Sequence, residues 1–294
     1  MTRFEEEIVS PSAKRQNLRK HLRGGTCFQP ASVFDPVSAR LADSLGFGIA
    51  IFPGSSASAV VLGAPDIALL SINDLVDQTR RITRVSNLSL IVDADNGYGN
   101  SINVIAAIRD LEAAGASAIT IEDTVLPQRK GTKGEHLIEL DELLSKATAA
   151  LEARVDPETI IIGRTHALRT GGAFEAERRV QALASSGVDA IFLVGVTNED
   201  DLKAIYNSSN GLPILLGGSE VKLSEAELAR YNVSIIIRGH QTFQASVQGI
   251  YSVLLAQLNG ELQSYPVSNL ASTEVMDMAI GKNYFRSLNS RFLG

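Results

Sequence analysis

Two aspartates separated by one residue are the first sign of chemistry in this sequence. They lie in residues 90–99, LIVDADNGYG, where an apolar run leads into Asp93 and Asp95 and then into a glycine-rich turn. On an extended strand both side chains point the same way, and two carboxylates on one face repel each other unless a cation or a proton lies between them. Oxygen ligands without Cys or His suit Mg²⁺ or Mn²⁺. On this stretch alone, a helix cap plus a solvent-exposed aspartate is an equally good interpretation.

The elements that must position these aspartates alternate between strand and helix. From Thr26 onward there are eight strand candidates, each followed by a helical pattern. They cover residues 26–35, 47–52, 88–95, 118–124, 159–163, 190–194, 213–216 and 233–238. Eight such units predict a parallel sheet closed into an α/β barrel of the (β/α)8 TIM type. A doubly wound open sheet is the alternative, but no G-x-G-x-x-G turn follows an early strand.

The segments outside the barrel are predicted to be helical. Residues 1–24 have the pattern of an amphipathic helix, the barrel covers about 26–258, and a C-terminal helical extension covers about 259–294. Helical patches are expected near 272–280 and 283–289. Residues 126–137, LPQRKGTKGEHL, form a polar loop. We therefore expect one domain over residues 1–294.

Composition excludes several classes of partner. The 294 residues carry a net charge of −6, which argues against nucleic acid as a partner. No apolar run approaches the ~20 residues needed to span a bilayer, and the N-terminus lacks a signal-peptide core. Cys27 is the only cysteine, so an intrachain disulfide is impossible. These features predict a cytoplasmic protein without a membrane or nucleic-acid partner.

The carboxyl ends of the predicted strands bring acidic and basic residues together. Active sites of (β/α)8 barrels lie at these ends. They carry Asp35, the 53–58 loop, Asp93 and Asp95, Glu122 and Asp123, Arg164 and His166, Gly195, Gly217 and Gly218, and His240. An acidic cluster facing an arginine and a histidine favours the cation interpretation of the aspartate pair.

The other acidic residues have structural alternatives. Asp35, which precedes a proline, has the character of a helix cap. Glu122 ends a buried strand, where an unpaired carboxylate is costly, so we expect it in a metal shell or an ion pair. Asp123 could hold the loop that follows it.

The basic residues also have two interpretations each. The planar fork of Arg164 suits a substrate carboxylate, and its alternative is a structural ion pair with Glu122. For His240 we favour a hydrogen bond to substrate over a place at a helix start without a ligand. His166 is given no role.

This set of groups favours chemistry on a small α-keto acid. A divalent cation can bind the substrate carboxylate and keto oxygen together and stabilise an enolate, with backbone N–H groups nearby. No lysine ends a strand, which disfavours a Schiff-base aldolase. Cys27 stands near the start of the first strand, which disfavours a cysteine nucleophile.

Several of these motifs together resemble one known family. The sequence is similar to the isocitrate lyase and phosphoenolpyruvate mutase superfamily at residues 32–35 (SVFD), 54–55 (GS), 93–99 (DADNGYG), 121–123 (IED) and 164–165 (RT). The resemblance extends over about residues 26–258. It implies a (β/α)8 barrel that binds Mg²⁺ and forms a homotetramer, a dimer of dimers that exchanges the last barrel helix.

The resemblance also implies roles for individual residues. Asp93 would contact the metal directly, and Asp95, Glu122 and Asp66 would act largely through water. Gly54 and Ser55 match the loop whose backbone holds the substrate carboxylate and enolate oxygen. Arg164 matches the arginine that binds the substrate.

Two segments separate the branches of this superfamily. The lyases carry a K-K-C-G-H loop, whereas residues 126–134 here contain no cysteine, which argues against isocitrate or methylisocitrate cleavage. Residues 32–40 (SVFDPVSAR) and Gly239-His240 resemble the oxaloacetate decarboxylase branch most, where a histidine at the position of His240 contacts substrate. That branch has a tyrosine near the end of strand seven, whereas residues 216–219 (LGGS) provide none.

The expected reaction is therefore decarboxylation of oxaloacetate to pyruvate and CO2, with Mg²⁺ or Mn²⁺ stabilising an enolate and with Arg164 and His240 orienting the substrate. Another carbon–carbon lyase, or an enzyme acting on the P–C bond of phosphonopyruvate, is the nearest alternative. A protein that binds α-keto acids and metal without turnover is the other.

Overall fold

A closed parallel barrel forms the centre of the molecule. The structure, a computed structural model, describes residues 9–294, so part of the predicted N-terminal helix over 1–24 lies outside the described residues. The strands are β1 Ala31–Ser32, β2 Ile49–Phe52, β3 Ser89–Asp93, β4 Ala118–Glu122, β5 Ile160–Thr165, β6 Ala190–Val194, β7 Ile214–Gly217 and β8 Val233–Ile237. Each strand pairs with the next in parallel, and a bridge between Phe28 and Ile235 joins the two ends of the sheet. The (β/α)8 prediction is confirmed.

Helices surround the barrel and extend beyond it. They are α1 Pro11–Leu22, α2 Pro36–Ser44, α3 Gly54–Leu62, α4 Ile72–Thr83, α5 Ser101–Ala113, α6 Leu140–Ala153, α7 Ala167–Thr170, α8 Gly172–Ser186, α9 Glu199–Ser208, α10 Glu225–Ala229, α11 Gln241–Leu258, α12 Thr273–Ala279 and α13 Lys282–Phe292. Asp35 caps α2 by accepting a 2.7 Å hydrogen bond from the Ser38 backbone, which confirms its structural interpretation. Within residues 9–294, no helix combines the length and apolar character needed to cross a membrane.

Alternation along the strands separates the barrel interior from the layer beneath the helices. Inward-facing side chains such as Ile51, Ile91 and Ile162 form one buried cluster, and Leu18 of α1 packs against its N-terminal end. The residues between them on the same strands pack against the helices. Helix α1 thus closes the bottom of the barrel, and the opposite end remains available for a site.

Two elements differ from the sequence prediction. The first strand is only two residues long, because Pro30 has no N–H to donate and the segment before it pairs only through the bridge at Phe28. The short helix α7 after β5 was not predicted. The helical patches expected near 272–280 and 283–289 are present as α12 and α13.

Candidate active site

The turn after β3 places both aspartates at the mouth of the barrel. Asp93 ends β3, and Asp95 adopts a left-handed backbone conformation with φ of 46°. The Glu122 backbone N–H donates a 2.8 Å hydrogen bond to the Asp95 carbonyl, which ties the turn to β4. A Cβ at Gly97 would lie 2.4 Å from a Val104 methyl, so this position requires glycine.

Arg164 lies between two of the predicted metal-binding carboxylates. Its Nη1 donates to Asp93 Oδ2 at 2.7 Å, and its Nε lies 3.1 Å from Glu122 Oε2. The guanidinium also stacks over Phe192 at 5.0 Å from the ring centroid. The Nε–H has no well-aligned acceptor among residues 9–294. The structural ion pair with Glu122 is therefore present, and it leaves one buried N–H of Arg164 without a hydrogen bond.

Two threonines, Thr120 on β4 and Thr124 just after it, hold the Asp93 and Glu122 carboxylates. The Thr120 hydroxyl donates to Asp93 Oδ1 at 3.0 Å, and the Thr124 hydroxyl donates to Glu122. Thr120 and Glu122 share a face because they are two residues apart on one strand. That alternation is a signal in the sequence from which the role of Thr120 could have been predicted.

The carboxylates at the mouth carry more negative charge than Arg164 can balance. Burial, reinforced by the charges of Asp93, Glu122 and Asp66, raises the pKa of Asp95 to about 8. Burial and the charge of Asp93 also raise the pKa of Asp66. Burial alone would raise the pKa of Glu122, but Arg164 and His166 hold it well below its usual range. A cation close to Asp95 would remove this repulsion, so the donor set fits a divalent metal.

A cavity of about 350 Å³ opens above these carboxylates. Its walls include Asp66, Asp93, Asp95, Glu122, Arg164 and His166, together with residues 124–126 and the loop residues Gln128 and Gly134 to His136. Within residues 9–294, no three Asp, Glu, His or Cys side chains are close enough together to ligate one ion directly. One direct carboxylate with further contacts through water therefore stays a prediction, for which the chemical precedent is that Mg²⁺ commonly retains several of its waters.

The start of α3 brings backbone N–H groups to the aspartate pair. Gly54 and Ser55 are the first residues of this helix, where N–H groups have no partner within the helix. A Cβ added at Gly54 would lie 2.9 Å from Asp95 Oδ1. Only a glycine lets the backbone approach this closely, so the predicted anion-binding loop adjoins the predicted metal site.

His240 precedes α11 on the other side of the mouth. Its Nδ1 lies 2.9 Å from the Ser32 hydroxyl oxygen, and it does not line the cavity above the carboxylates. Burial lowers its pKa, although the charge of Asp93 opposes that shift. This shift favours the neutral form of the imidazole near pH 7, and Ser32 orients the ring; the contact of His240 with substrate stays a prediction.

His166, to which the sequence assigned no role, belongs to the site. Its Nε2 lies 3.2 Å from Glu122 Oε2, and its Nδ1 lies 3.0 Å from Glu135 of the 126–137 loop. The spacing Arg164-x-His166 repeats that of the aspartate pair and places both residues near Glu122. Asp123 supports this arrangement because its side chain accepts hydrogen bonds from the Thr165 hydroxyl and the His166 backbone at the end of β5. Its backbone carbonyl accepts a 2.8 Å hydrogen bond from the Ile138 N–H, where the loop after β4 ends.

At the end of β7, neighbouring side chains occupy the space that a larger residue would need. A Cβ at Gly217 would lie 2.7 Å from the Phe192 ring, and one at Gly218 would lie 3.3 Å from Arg169 Nη2. Phe192 and Arg169 therefore fill the region where the resemblance would place a tyrosine.

A (β/α)8 barrel with an acidic, arginine-bearing mouth defines the class of protein, and similarity to known proteins defines the family. The sequence profile of a family described as phosphoenolpyruvate phosphomutase matches residues 18–257. An oxaloacetate decarboxylase from Rhodopseudomonas palustris strain BisB18 is 42% identical over 283 residues, 96% of this chain and 98% of that protein. One from Bradyrhizobium sp. strain BTAi1 is 42% identical over 93% of this chain and 96% of that protein.

A solved structure agrees in fold. A phosphonopyruvate hydrolase crystallised with oxalate and Mg²⁺ superposes with a TM-score of 0.84 at 31% identity, covering 96% of this chain and 99% of that one. The chain therefore belongs to the phosphoenolpyruvate phosphomutase and isocitrate lyase family. It is an enzyme of the carbon–carbon lyase class.

Proposed function

We propose that this enzyme decarboxylates oxaloacetate to pyruvate and CO2 with Mg²⁺ or Mn²⁺ as cofactor. The observation that carries the proposal is the surplus of buried carboxylates at the mouth, next to the Gly54 backbone and Arg164. The similarity to relatives named oxaloacetate decarboxylase over nearly the whole chain supports the choice of substrate.

Metal binding is assigned to four carboxylates. Asp93 would hold the ion directly, and Asp95, Glu122 and Asp66 would act through its waters. The bound ion supplies positive charge for the carboxylate and keto oxygen of an α-keto acid.

The chain's own groups then bind and orient the substrate. Arg164 binds the substrate carboxylate with its guanidinium, which Phe192 holds in place by stacking. As the bond between C3 and C4 breaks, CO2 leaves and the electron pair moves onto the C2 oxygen to give the enolate of pyruvate, which becomes pyruvate when C3 takes a proton from solvent water. The N–H groups of Gly54 and Ser55 stabilise the charge that develops on that oxygen. His240, neutral and fixed by Ser32, donates a hydrogen bond to the substrate.

A substrate panel followed by NMR tests this proposal against its alternatives. Oxaloacetate, phosphonopyruvate and substituted malates are each incubated with enzyme and Mg²⁺. We expect conversion of oxaloacetate to pyruvate and strong inhibition by oxalate, which mimics the planar enolate. Preferred turnover of phosphonopyruvate, which the similarity to the hydrolase makes the second candidate, would replace the assignment. Oxalate binding without turnover of any compound would indicate a non-catalytic binding protein.

We further propose that the enzyme is a homotetramer, a dimer of dimers in which α11 is exchanged between subunits. None of the 18 residues of α11 is buried, although its sequence is apolar and exposes Ile250, Tyr251 and Leu254. Beside β1 and α2, the same chain has an apolar cavity of about 670 Å³ lined by residues such as Phe34 and Leu41. Helix α11 of a second copy is the occupant that fits this cavity, because a (β/α)8 barrel normally packs its last barrel helix beside its first.

Light scattering of the wild type and of Ile250→Asp tests the assembly. The wild type should have the mass of a tetramer, and the charged variant should dissociate because it buries an unpaired carboxylate in the exchanged interface. A monomeric wild type would contradict the proposal. We place the reaction in the cytoplasm, in keeping with the single buried cysteine.

A further inference from the structure

A buried lysine lies beneath the aspartate turn. Lys146 of α6 has a side chain that is 1% exposed, and its Nζ donates a 3.0 Å hydrogen bond to the backbone carbonyl of Asn96. Its nearest carboxylate oxygen, on the half-exposed Glu142, is 3.7 Å away. An ammonium group has three N–H donors, and the carbonyl of Asn96 accepts from only one of them. Burying the charge therefore costs more free energy than this single hydrogen bond returns. A leucine or methionine would fill the same volume without that cost.

The carbonyl that Lys146 binds belongs to the turn that carries both aspartates. Asn96 directly follows Asp95, whose left-handed φ is uncommon for a residue with a side chain. Such a conformation persists only where its surroundings hold it. On one side the Glu122 N–H holds the Asp95 carbonyl, and on the other Lys146 holds the next carbonyl along.

The side chain of Asn96 completes this support. It accepts a hydrogen bond from the Tyr98 backbone at 3.1 Å and donates one to the Leu126 carbonyl at 3.0 Å. Lys146 also lies close enough for its charge to interact with that of Glu122. A cation beneath the turn thus contacts the backbone between the aspartate pair and the 126–137 loop.

We propose that Lys146 is a positioning residue for the metal site, acting through the Asn96 carbonyl. It fixes the direction of the peptide after Asp95 and so the position of the Asp95 carboxylate next to Gly54. This inference rests on the proposed metal site and does not depend on which acid is the substrate.

A second buried lysine provides a matched control. Lys14 of α1 is also buried, and its Nζ donates to the carbonyls of Ser86 at 2.6 Å and Thr83 at 3.2 Å at the opposite end of the barrel. Lys146→Met and Lys14→Met therefore remove the same kind of group with the same change in size. Both should lower thermal stability, and only the first should change the site.

The experiment measures the affinity of each protein for Mn²⁺ alone by electron paramagnetic resonance. We expect Lys146→Met to bind Mn²⁺ about tenfold more weakly than the wild type, a size typical for loss of a group that orients metal ligands. Lys14→Met should bind as the wild type does. Hydrogen exchange of residues 95–99 should accelerate in the first variant alone. Equal Mn²⁺ affinity in the two variants would overturn the proposal.

A conservative variant keeps the test decisive if Lys146→Met does not fold. Lys146→Gln is neutral and shorter, so it should reach the Asn96 carbonyl poorly; its Mn²⁺ affinity should lie below that of the wild type, and unchanged affinity would contradict the proposal. A wild type that binds Mn²⁺ tightly without decarboxylating oxaloacetate would refute the proposed function and leave this inference intact. A wild type that binds no Mn²⁺ would refute both.

Discussion

The two ends of the barrel differ in how far their buried charges are paired. At the bottom, Arg15 of α1 donates to the carbonyls of Glu112 and Ala116 and pairs with Asp156 at 2.7 Å, and Arg19 pairs with Asp189 at 2.7 Å. Each of these guanidinium groups pairs with a carboxylate, although Arg19 Nε, like Arg164 Nε, has no well-aligned hydrogen-bond acceptor among residues 9–294. At the mouth, Arg164 pairs with only two of the four carboxylates, and burial, reinforced by the neighbouring negative charges, raises the pKa of Asp95 to about 8.

This difference separates stability from function within one fold. Matched charges at the bottom join α1 to the strands, which is the end of the barrel that commonly serves stability. Unmatched charges at the mouth should destabilise the metal-free protein, and the cation proposed to bind there would relieve them. Changes at the bottom should therefore alter unfolding, and changes at the mouth should alter activity.

The largest effect is expected at Asp93. Asp93→Asn removes the carboxylate proposed to contact the metal and the charged partner of Arg164 while keeping the side-chain size. We expect kcat/KM for oxaloacetate to fall about 1,000-fold, as for loss of a central electrostatic group. Steady-state kinetics measure the effect, and a decrease of less than tenfold would show that the mouth does not depend on this residue.

Arg15→Met should give the converse result at the bottom. Its removal leaves Asp156 and two carbonyls without their buried donor. We expect the free energy of unfolding to decrease by about 3 kcal/mol, with kcat/KM within about twofold of the wild type. Denaturant unfolding and kinetics on the same preparation measure both. A decrease in kcat/KM well beyond twofold, without a decrease in the free energy of unfolding, would contradict the contrast between the two ends.

The pH dependence of stability should sharpen the comparison. The folded pKa of Asp95 is raised to about 8, so its carboxyl favours folding below its unfolded pKa of about 4, and this contribution is lost as pH rises toward 8. In EDTA, the free energy of unfolding should fall by on the order of 2 kcal/mol between pH 5 and 8. Mg²⁺ should restore it, and Asp95→Asn should reduce the trend, leaving the smaller part due to Asp66 and His166, whose pKa values are also raised. A metal-free protein that becomes more stable over this range would contradict the account.

The smallest effect is expected from two buried hydroxyls. Thr120 donates to Asp93 at the mouth, and Ser234 donates to the Leu22 carbonyl at 2.7 Å at the bottom. Thr120→Val should lower kcat/KM about fivefold, the equivalent of one hydrogen bond near 1 kcal/mol. Ser234→Ala should lower stability by a similar free energy and leave kcat/KM unchanged. Equal effects of the two variants on kcat/KM would argue against a separation of function at the mouth from stability at the bottom.

The repeating pattern of the sequence was sufficient to predict the barrel. Seven of the eight strands were placed within a few residues because fully buried β-branched runs end at glycine or charged residues. The first strand was too long in the prediction because a proline inside an apolar segment limits pairing, as Pro30 does here. Helix α7 is a single turn, too short to show a periodic pattern.

The site was predicted less completely. Residues on strand ends, such as Asp93 and Arg164, could be placed because the barrel brings those ends together. His166 could have been included from its spacing to Arg164, but its contact with Glu135 depends on the path of the loop. Lys146 was missed because a single lysine on a helix normally faces solvent. The one sequence signal for its burial is its position on the helix between the apolar residues Leu143 and Ala147, which are also buried.

Pyruvate formation from oxaloacetate, measured over a blank containing Mg²⁺ alone, tests the central claim most directly. The wild type and Arg15→Met should both produce pyruvate and CO2 well above the blank, and EDTA should abolish the difference. Asp93→Asn should be close to the blank. Wild-type production equal to the blank, or production unaffected by Asp93→Asn, would contradict the assignment of this mouth as a metal-dependent decarboxylase site.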